Sequence, residues 1–223
     1  MKVVARIRSD FETKFGIPRQ SGLINELKSM VVFEPQFRNP DALRGLEEYS
    51  HIWLIWEFSQ SPKDEWSPMV RPPRLGGNVR KGVFATRAPF RPNPIGLSCV
   101  RLERIENHET LGHVLHVSGA DLMNGTPIYD IKPYLPDTES HPEATGSLGQ
   151  KVKDRFLQVS CGDEHLQFFT REKKAALLKV LAQDPRPSYQ DDPERIYGIA
   201  FAGYDVRFSV KEGTLTVRQV VPL

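Results

Sequence analysis

Short strand-like segments, broken at close intervals by glycine, proline and asparagine, constrain the fold of this chain more than any other feature. Segments rich in branched and aromatic residues are typical of strands. Such segments span residues 3–8, 51–58, 82–86, 98–105, 114–118 and 128–131. Repeated βαβ units would need a long crossover, usually a helix, between successive parallel strands. The spacing therefore favours an antiparallel barrel.

Two local patterns refine this prediction. The run HIWLIWEF at residues 51–58 is continuously apolar except for its ends, as in a central strand covered on both faces. A short helix is predicted after Asn39, which can cap it, because Pro40 suits the first helical position. Leu43 and Leu46 would then lie on one side of that helix.

A second, smaller domain is predicted at the C-terminal end. The periodicity lapses over residues 140–149, where small residues cluster, so we expect a barrel domain at 1–140 and an α+β domain at 141–223. In the second domain Thr170 can cap a helix that runs to about Leu181. Segments 204–210 and 214–220 then form a hairpin.

Several classes of protein are excluded by what the sequence lacks. No apolar run approaches the roughly 20 residues of a membrane span, and the two cysteines form no CxxC pair, so we expect a reduced, cytoplasmic setting. His113 and His116 lie three residues apart on a strand and would face opposite ways, so no metal is expected. Neither a Rossmann glycine fingerprint nor a P-loop occurs.

The charge distribution indicates an anionic partner. Residues 66–102 contain no acidic side chain. Their basic residues are Arg71, Arg74, Arg80, Lys81, Arg87, Arg91 and Arg101. Guanidinium groups bind phosphates and carboxylates in pairs of hydrogen bonds and raise the local concentration of anions. This segment is either an anion-binding surface or a solvated basic face.

Three irregular segments are candidates for a binding site, because functional residues are often found on loops. Residues 16–22 (GIPRQSG) offer Arg19 and Gln20 from a stiffened backbone. Residues 86–98 (TRAPFRPNPIGLS) hold three prolines within six positions, which fixes the backbone that carries Arg87 and Arg91. Residues 119–133 (GADLMNGTPIYDIKP) contain Asn124-Gly125, a hairpin-turn dipeptide, as well as two aspartates.

The chain resembles the TrmO (TsaA, YaeB) family of tRNA methyltransferases. The strings FRPNPIG at 90–96 and DIKPY at 130–134 carry the resemblance most specifically. Segments 38–46, 71–77, 184–187 and 204–208 extend it over nearly the whole chain. The resemblance implies a homodimeric, single-sheeted antiparallel β-barrel without a Rossmann core. It also implies methyl transfer from S-adenosylmethionine to N6 of N6-threonylcarbamoyladenosine at position 37 of tRNA.

The resemblance also implies which residues form the site. Expected cofactor contacts are Pro18, Arg19, Gln20, Ser59, Gln60, Arg87, Leu97, Asp121, Leu122, Asn124, Gly125 and Thr126. In-line methyl transfer needs positioning more than covalent help, but N6 of this substrate must lose a proton. Candidate bases are Asp121, Asp130, Tyr129 and His51, although His51 also fits a strand-edge core residue. Contacts to RNA phosphates or to the threonyl carboxylate are assigned to Arg71, Arg74, Arg80, Arg91 and Lys132.

Two other functions fit the same residues. An RNA-binding module without chemistry would bind RNA through the basic segment and take up no cofactor. A small-molecule enzyme would use the arginine-rich loop to hold a carboxylate or phosphate, and tRNA would bind no better than any other polyanion.

Overall fold

The structure, a computed structural model, describes residues 1–61, 66–72, 79–146, 156–186 and 192–223. The strands of the N-terminal part are β1 (Ala5–Arg8), β2 (Lys28–Phe33), β3 (His51–Glu57), β4 (Met69–Val70), β5 (Lys81–Gly82), β6 (Ile95–His108), β7 (Gly112–Ser118) and β8 (Pro127–Pro133). Six of them form one antiparallel sheet in the order β1-β2-β7-β6-β3-β8. Because β8 also pairs with β1, the sheet closes on itself. The short strands β4 and β5 pair separately.

The inside of this closed sheet is the first hydrophobic core. Side chains alternate between the two faces of a strand, and on β3 the inward set is Ile52, Leu54 and Trp56. The outward side chains of β3 are only partly buried. The prediction that both faces of this strand are covered is therefore too strong, although β3 does lie between β6 and β8 within the sheet.

The C-terminal part is an α+β unit. Its elements are β9 (Gln158–Ser160), α2 (Asp163–Leu166), α3 (Arg171–Ala182), β10 (Tyr197–Phe201), β11 (Tyr204–Lys211) and β12 (Thr214–Pro222). The short helix α1 (Pro136–Glu139) precedes this unit and contacts β3, where Glu139 accepts from Nε1 of Trp53 at 3.0 Å. The sheet order is β10-β11-β12-β9, with β9 parallel to β12. The predicted helix is confirmed, since the Thr170 hydroxyl accepts from the Lys173 backbone N–H at 3.4 Å. The predicted hairpin is β11-β12.

The segment between β1 and β2 belongs to the second hydrophobic core. Phe11, Ile24 and Leu27 are at most 3% exposed and pack in the cluster formed by α3 and strands β10 to β12. The Asp10 carbonyl accepts from the Ala202 backbone N–H at 2.8 Å, and the Asp10 carboxylate pairs with Lys173 at 2.5 Å. Residues 9–27 therefore leave the closed sheet, cross to the C-terminal unit and return.

Several local predictions are wrong. Residues 82–86 do not continue a strand, because Val83–Ala85 form a 3-10 helix in which Thr86 bonds back to the Val83 carbonyl. The helix predicted after Asn39 is two 3-10 helices, Pro40–Leu43 and Leu46–Glu48, separated at Gly45, whose φ is +85°. Asn39 nevertheless caps the first of them, accepting from the Asp41 backbone N–H at 3.0 Å.

Asn124-Gly125 does form a turn, closed by the Thr126 N–H donating to the Met123 carbonyl at 3.2 Å, but this turn does not join a hairpin. The strands on either side, β7 and β8, are not neighbours in the sheet. Instead the backbone N–H of Asn124 donates to Phe11 and that of Gly125 to Ile7, both at 2.8 Å, so these residues tie the loop to β1 and to the segment after it. Within the described ranges no helix is long and apolar enough to span a bilayer.

Replacing Phe11 by alanine should destabilise the protein by about 3–5 kcal/mol, the usual effect of removing a buried phenylalanine side chain. Phe11 is 1% exposed and contacts Phe201 edge-on. The matched control is Phe156→Ala, at a side chain that is 66% exposed, where the change should stay within about 1 kcal/mol. Urea unfolding measures both. Equal effects would contradict the assignment of Phe11 to the C-terminal core.

Candidate active site

A cavity of about 590 Å³ opens where three loops meet the ends of β3 and β6. The loop before β2 contributes Lys14, Ile17, Pro18, Arg19 and Gln20. The end of β3 and the residues after it contribute Trp56, Glu57, Phe58, Ser59, Gln60 and Ser61. The proline-rich loop and the start of β6 contribute Thr86, Arg87, Pro89, Phe90, Arg91, Ile95, Gly96 and Leu97. The segment before β8 contributes Asp121, Leu122, Met123 and Thr126.

The first loop is fixed against the segment before β8. The backbone N–H of Gly22 donates to the Gly119 carbonyl at 2.8 Å. A Cβ atom on Gly119 would lie 3.2 Å from the Gly22 backbone, so the two chains approach as closely as glycine permits. At the cavity wall Nη1 of Arg87 donates to Oε1 of Gln20 at 2.8 Å. Arg87 on one loop and Gln20 on another are thus held together.

The proline-rich loop is organised around Arg91. Its Nη1 donates to the carbonyl oxygens of Val83 at 3.1 Å and Thr86 at 2.7 Å. The guanidinium group also lies over the ring of Phe84, 5.8 Å from its centroid. Since the prolines fix much of the intervening backbone, the loop presents its polar groups to the cavity with little conformational freedom left to lose.

A chain of hydrogen bonds connects the interior of the closed sheet to the cavity. Nε1 of Trp56 donates to Oγ of Ser98 at 2.9 Å, and the Ser98 hydroxyl donates to Oδ1 of Asp121 at 2.5 Å. An indole N–H can only donate, so Ser98 accepts from Trp56 and its own proton is directed to the carboxylate. The Asp121 side chain is therefore oriented by a hydrogen bond from the interior of the closed sheet.

Asp121 is a largely buried acidic side chain of the cavity. Burial raises the pKa of its carboxyl group, and this outweighs the hydrogen bond from Ser98, the Ser21 backbone N–H and the charge of Arg87. A carboxyl group whose charge is disfavoured by burial gains from any ligand that offers it a hydroxyl or an ammonium donor. A polar group of this kind is typical of binding sites.

The floor of the cavity depends on a close contact between a glycine and a tryptophan. Gly96 on β6 lies directly opposite Trp56 on β3. A Cβ atom on Gly96 would lie 2.3 Å from Cε2 of Trp56, well inside van der Waals contact. The indole also packs against Phe58, with ring centroids 4.4 Å apart. The absence of a side chain at Gly96 thus allows Trp56 to reach Ser98.

The other acidic side chain of the cavity is Glu57, at the end of β3. Its Oε2 accepts a short hydrogen bond from the hydroxyl of Tyr129 on β8. Burial, followed by the hydrogen bond to Glu57 and its charge, raises the pKa of Tyr129 to about 12. The phenol consequently remains a hydrogen-bond donor at neutral pH.

The cavity brings together most of the proposed cofactor contacts. Pro18, Arg19, Gln20, Ser59, Gln60, Arg87, Leu97, Asp121, Leu122 and Thr126 all line it. Asn124 and Gly125 do not, and the reason is visible in their contacts. Asn124 turns towards Glu12, with Nδ2 donating to Oε1 at 3.0 Å, and the Gly125 carbonyl accepts from Arg6 at 3.1 Å.

The proposed bases and RNA contacts are more dispersed. Among the candidate bases only Asp121 lines the cavity. Tyr129 does not line it but donates a hydrogen bond to Glu57, which does. Asp130 pairs with Lys132 at 3.0 Å on the outer face of β8. Among the RNA contacts Arg91 lines the cavity, whereas Arg71, Arg80 and Lys132 are exposed elsewhere. Arg74 lies outside the described residues.

Sequence reasoning missed several lining residues, most notably Trp56, Glu57 and Phe58. In the sequence they lie at the end of a mostly apolar strand, so Trp56 and Phe58 look like residues of a hydrophobic core. Lys14 was also missed, although its Nζ donates to the Gln60 carbonyl at 2.8 Å and closes one side of the cavity. The single available signal was Glu57, a charge at the end of the apolar run. Within the described part of the chain no group of three or more His, Cys, Asp or Glu side chains is arranged to hold a metal ion.

Two family models match the chain. One, described as the tRNA-methyltransferase O N-terminal domain, matches residues 6–140. The other, described as the TrmO C-terminal domain, matches residues 156–223.

Curated proteins and solved structures match over the same length. The chain is 42% identical to an Escherichia coli protein named tRNA (adenine(37)-N6)-methyltransferase, covering 97% of this chain and 95% of that protein. It is 41% identical to a Pseudomonas aeruginosa protein named putative S-adenosylmethionine-dependent methyltransferase RcsF, covering 92% and 90%. The crystal structure of TrmO from Pseudomonas aeruginosa aligns with a TM-score of 0.77 at 34% identity, covering 99% of this chain and 98% of that one.

Replacing Gly96 by alanine should destabilise the protein by about 1–3 kcal/mol, as overpacking of a filled site does, because the new Cβ atom would displace the Trp56 ring. Gly82→Ala is the control. A Cβ atom there meets nothing within 4 Å, so its effect should stay within about 1 kcal/mol. Denaturant unfolding compares the two. An unchanged stability for Gly96→Ala would contradict the described packing.

Proposed function

Because the chain belongs to the TrmO family of S-adenosylmethionine-dependent tRNA methyltransferases, we propose that its substrate is N6-threonylcarbamoyladenosine at position 37 of tRNA. The methyl group goes to N6, giving the N6-methyl derivative. The observation that carries this proposal is the convergence of three loops, distant in sequence, on one cavity that holds Arg19, Arg87 and Asp121.

The cavity residues fit the cofactor in size and chemistry. Ligand cavities of about 300–1,000 Å³ suit molecules of this size, and the observed cavity has about 590 Å³. Arg19 and Arg87 would hold a carboxylate, the Asp121 carboxyl group would accept from a hydroxyl or an ammonium group, and Ile17, Phe58 and Leu97 offer apolar surface for a purine. When bound, S-adenosylmethionine supplies an activated methyl group on a sulfonium ion.

The residues of the chain act chiefly by positioning. In-line transfer needs the attacking nitrogen, the methyl carbon and the sulfur on one axis, and correct orientation can supply as much as roughly 7–11 kcal/mol of the barrier. The Arg87–Gln20 bond and the Ser98–Asp121 bond fix two walls of the cavity before any ligand arrives. Arg91 lies in the cavity wall beside Arg87, where its cationic group would face the threonyl carboxylate or the neighbouring phosphates.

Further features of fold, assembly and RNA binding belong to this proposal. The closed sheet would be the single-sheeted barrel of the family. The protein would work as a homodimer in the cytoplasm. The domain division would fall at 140/141. The exposed side chains of Arg71, Arg80 and Lys132 would contact tRNA phosphates, together with Arg74. Binding through several such contacts should weaken steeply with salt concentration.

Purified protein incubated with methyl-labelled cofactor should label tRNA that carries N6-threonylcarbamoyladenosine and leave the same tRNA lacking that group unlabelled. The physical reason is that the carbamoyl side chain supplies the carboxylate expected to meet Arg91. Labelled nucleosides are identified after digestion. Equal labelling of both tRNAs, or of neither, would refute the assigned substrate, and tight RNA binding without cofactor uptake would favour a non-catalytic module.

Arg87→Ala should lower cofactor affinity at least about tenfold and reduce methyl transfer to near background, because the variant loses both a cation of the cavity and the bond that holds Gln20. Arg44→Ala is the control, at an arginine whose side chain is 81% exposed and which does not line the cavity. Isothermal titration with the cofactor and a labelling assay test both variants, and thermal unfolding checks that they fold. Normal activity in Arg87→Ala would remove Arg87 from the site.

A further inference from the structure

Strand β8 contains an irregularity beside the cavity. Ile55 of β3 pairs with Asp130, but the next residue, Trp56, pairs with Ile128. Tyr129 is therefore an extra residue on β8 that has no partner on β3. Such bulges bend the strand, turn the extra side chain away from its regular direction and occur frequently next to active sites.

The bulge aims Tyr129 at Glu57. The phenol of Tyr129 donates to Oε2 of Glu57, and Glu57 itself lines the cavity. With its pKa raised to about 12, the phenol stays protonated and does not compete for protons near neutral pH. Its role is confined to donating a hydrogen bond, which favours the charged form of the carboxylate and fixes its direction.

The described lining residues include two groups able to accept a proton from a substrate, Glu57 and Asp121; no His, Cys or Tyr side chain is among them. Asp121 already accepts hydrogen bonds from the Ser98 hydroxyl and the Ser21 backbone N–H and lies in the field of Arg87. Asp130 pairs with Lys132 outside the cavity, and His51 does not line it. The two carboxylates of the cavity therefore have different surroundings: Asp121 is held by Ser98 and Ser21 near Arg87, and Glu57 is held by Tyr129.

We propose that Glu57 is the catalytic base of the methyl transfer and that Tyr129 is its positioning residue; this inference rests on the proposed function. The lone pair of N6 forms the new N–C bond while the C–S bond breaks and its electrons return to sulfur. The proton on N6 moves to the carboxylate of Glu57, which leaves neutral thioether, neutral methylated base and protonated Glu57. The proton later passes to solvent.

The charge balance explains why a carboxylate suffices. N6 in the substrate is conjugated to a carbonyl and is a weak base, but it becomes strongly acidic as the N–C bond forms and positive charge develops. A carboxylate within hydrogen-bond reach can therefore take the proton during the transfer without first creating an anion on the purine. A carboxylate can also accept several hydrogen bonds at once, so the bond from Tyr129 is compatible with this role.

The first test is Glu57→Gln, which keeps the shape of the side chain and removes the proton acceptor. The expected result is a fall in kcat of about 10²–10⁴-fold, with the dissociation constants of S-adenosylmethionine and of modified tRNA changed by less than about threefold. Glu109→Gln is the control, at an exposed glutamate in the β6-β7 turn that does not line the cavity. Its kcat should match that of the unmodified chain.

The second test is Tyr129→Phe, which removes only the phenol oxygen. The expected result is a fall in kcat of roughly tenfold together with a shift of the acidic limb of the kcat–pH profile to higher pH. The shift follows because the carboxylate has lost a donor that favours its charged form. A purely structural role for Tyr129 would lower activity at every pH without moving that limb.

The outcomes separate this inference from the proposed function. Methylation of modified tRNA by the unmodified chain, with kcat of Glu57→Gln within threefold, overturns the assignment of Glu57 and leaves the function standing. A loss of cofactor affinity of more than tenfold in Glu57→Gln overturns it too, because Glu57 would then bind the cofactor. Failure of the unmodified chain to label modified tRNA overturns both. A large loss of kcat with retained affinities supports the inference.

Discussion

The site depends on one segment that is held by two cores. Residues 9–27 start and end in the closed sheet, yet Phe11, Ile24 and Leu27 are buried against the C-terminal helix and sheet. At Gly16 the approach is so close that a Cβ atom would lie 2.9 Å from Cγ2 of Ile199. The loop that carries Arg19 and Gln20 to the cavity is therefore positioned by the C-terminal unit, although its neighbours along the cavity wall belong to the first core.

Hydrogen bonds also hold the cavity walls in place. Each wall is fixed by a bond to a different element: Gln20 by Arg87, Asp121 by Ser98, and Arg91 by two backbone carbonyls. Reactions that depend on alignment benefit when the aligning groups need not be ordered on binding. The prolines of residues 86–98 serve the same end, because they restrict the loop before it folds. Ligand binding therefore costs little conformational entropy in these loops.

The sequence predicts site residues well where local residue types determine the structure of a loop. It predicts them less well where the pairing of strands determines which side chains line the cavity. The stiff loops at 16–22 and 86–98 were predictable as site loops because arginine, glutamine and proline occur together without an apolar pattern. Trp56 and Phe58 were not, since in a strand they are indistinguishable from core until β6 is known to place Gly96 opposite Trp56. For Asn124 and Gly125 the sequence correctly indicates a turn, but tertiary contacts with Glu12 and Arg6 hold the two residues outside the cavity lining.

The bulge at Tyr129 shows why sequence reasoning fails at this particular point. Nothing in the segment PIYDIKP departs from an ordinary strand pattern, and the extra residue becomes apparent only from the pairing of β8 with β3. Local rules are most often broken where a protein places function, and here the break coincides with the point where β3 ends and the cavity opens. In a regular β8, Tyr129 would pair with Trp56 and face the same side of the sheet as Trp56 rather than reach Glu57. The two acidic groups of the cavity then differ because one accepts a hydrogen bond from inside the closed sheet, through Trp56 and Ser98, and the other from the bulge in β8.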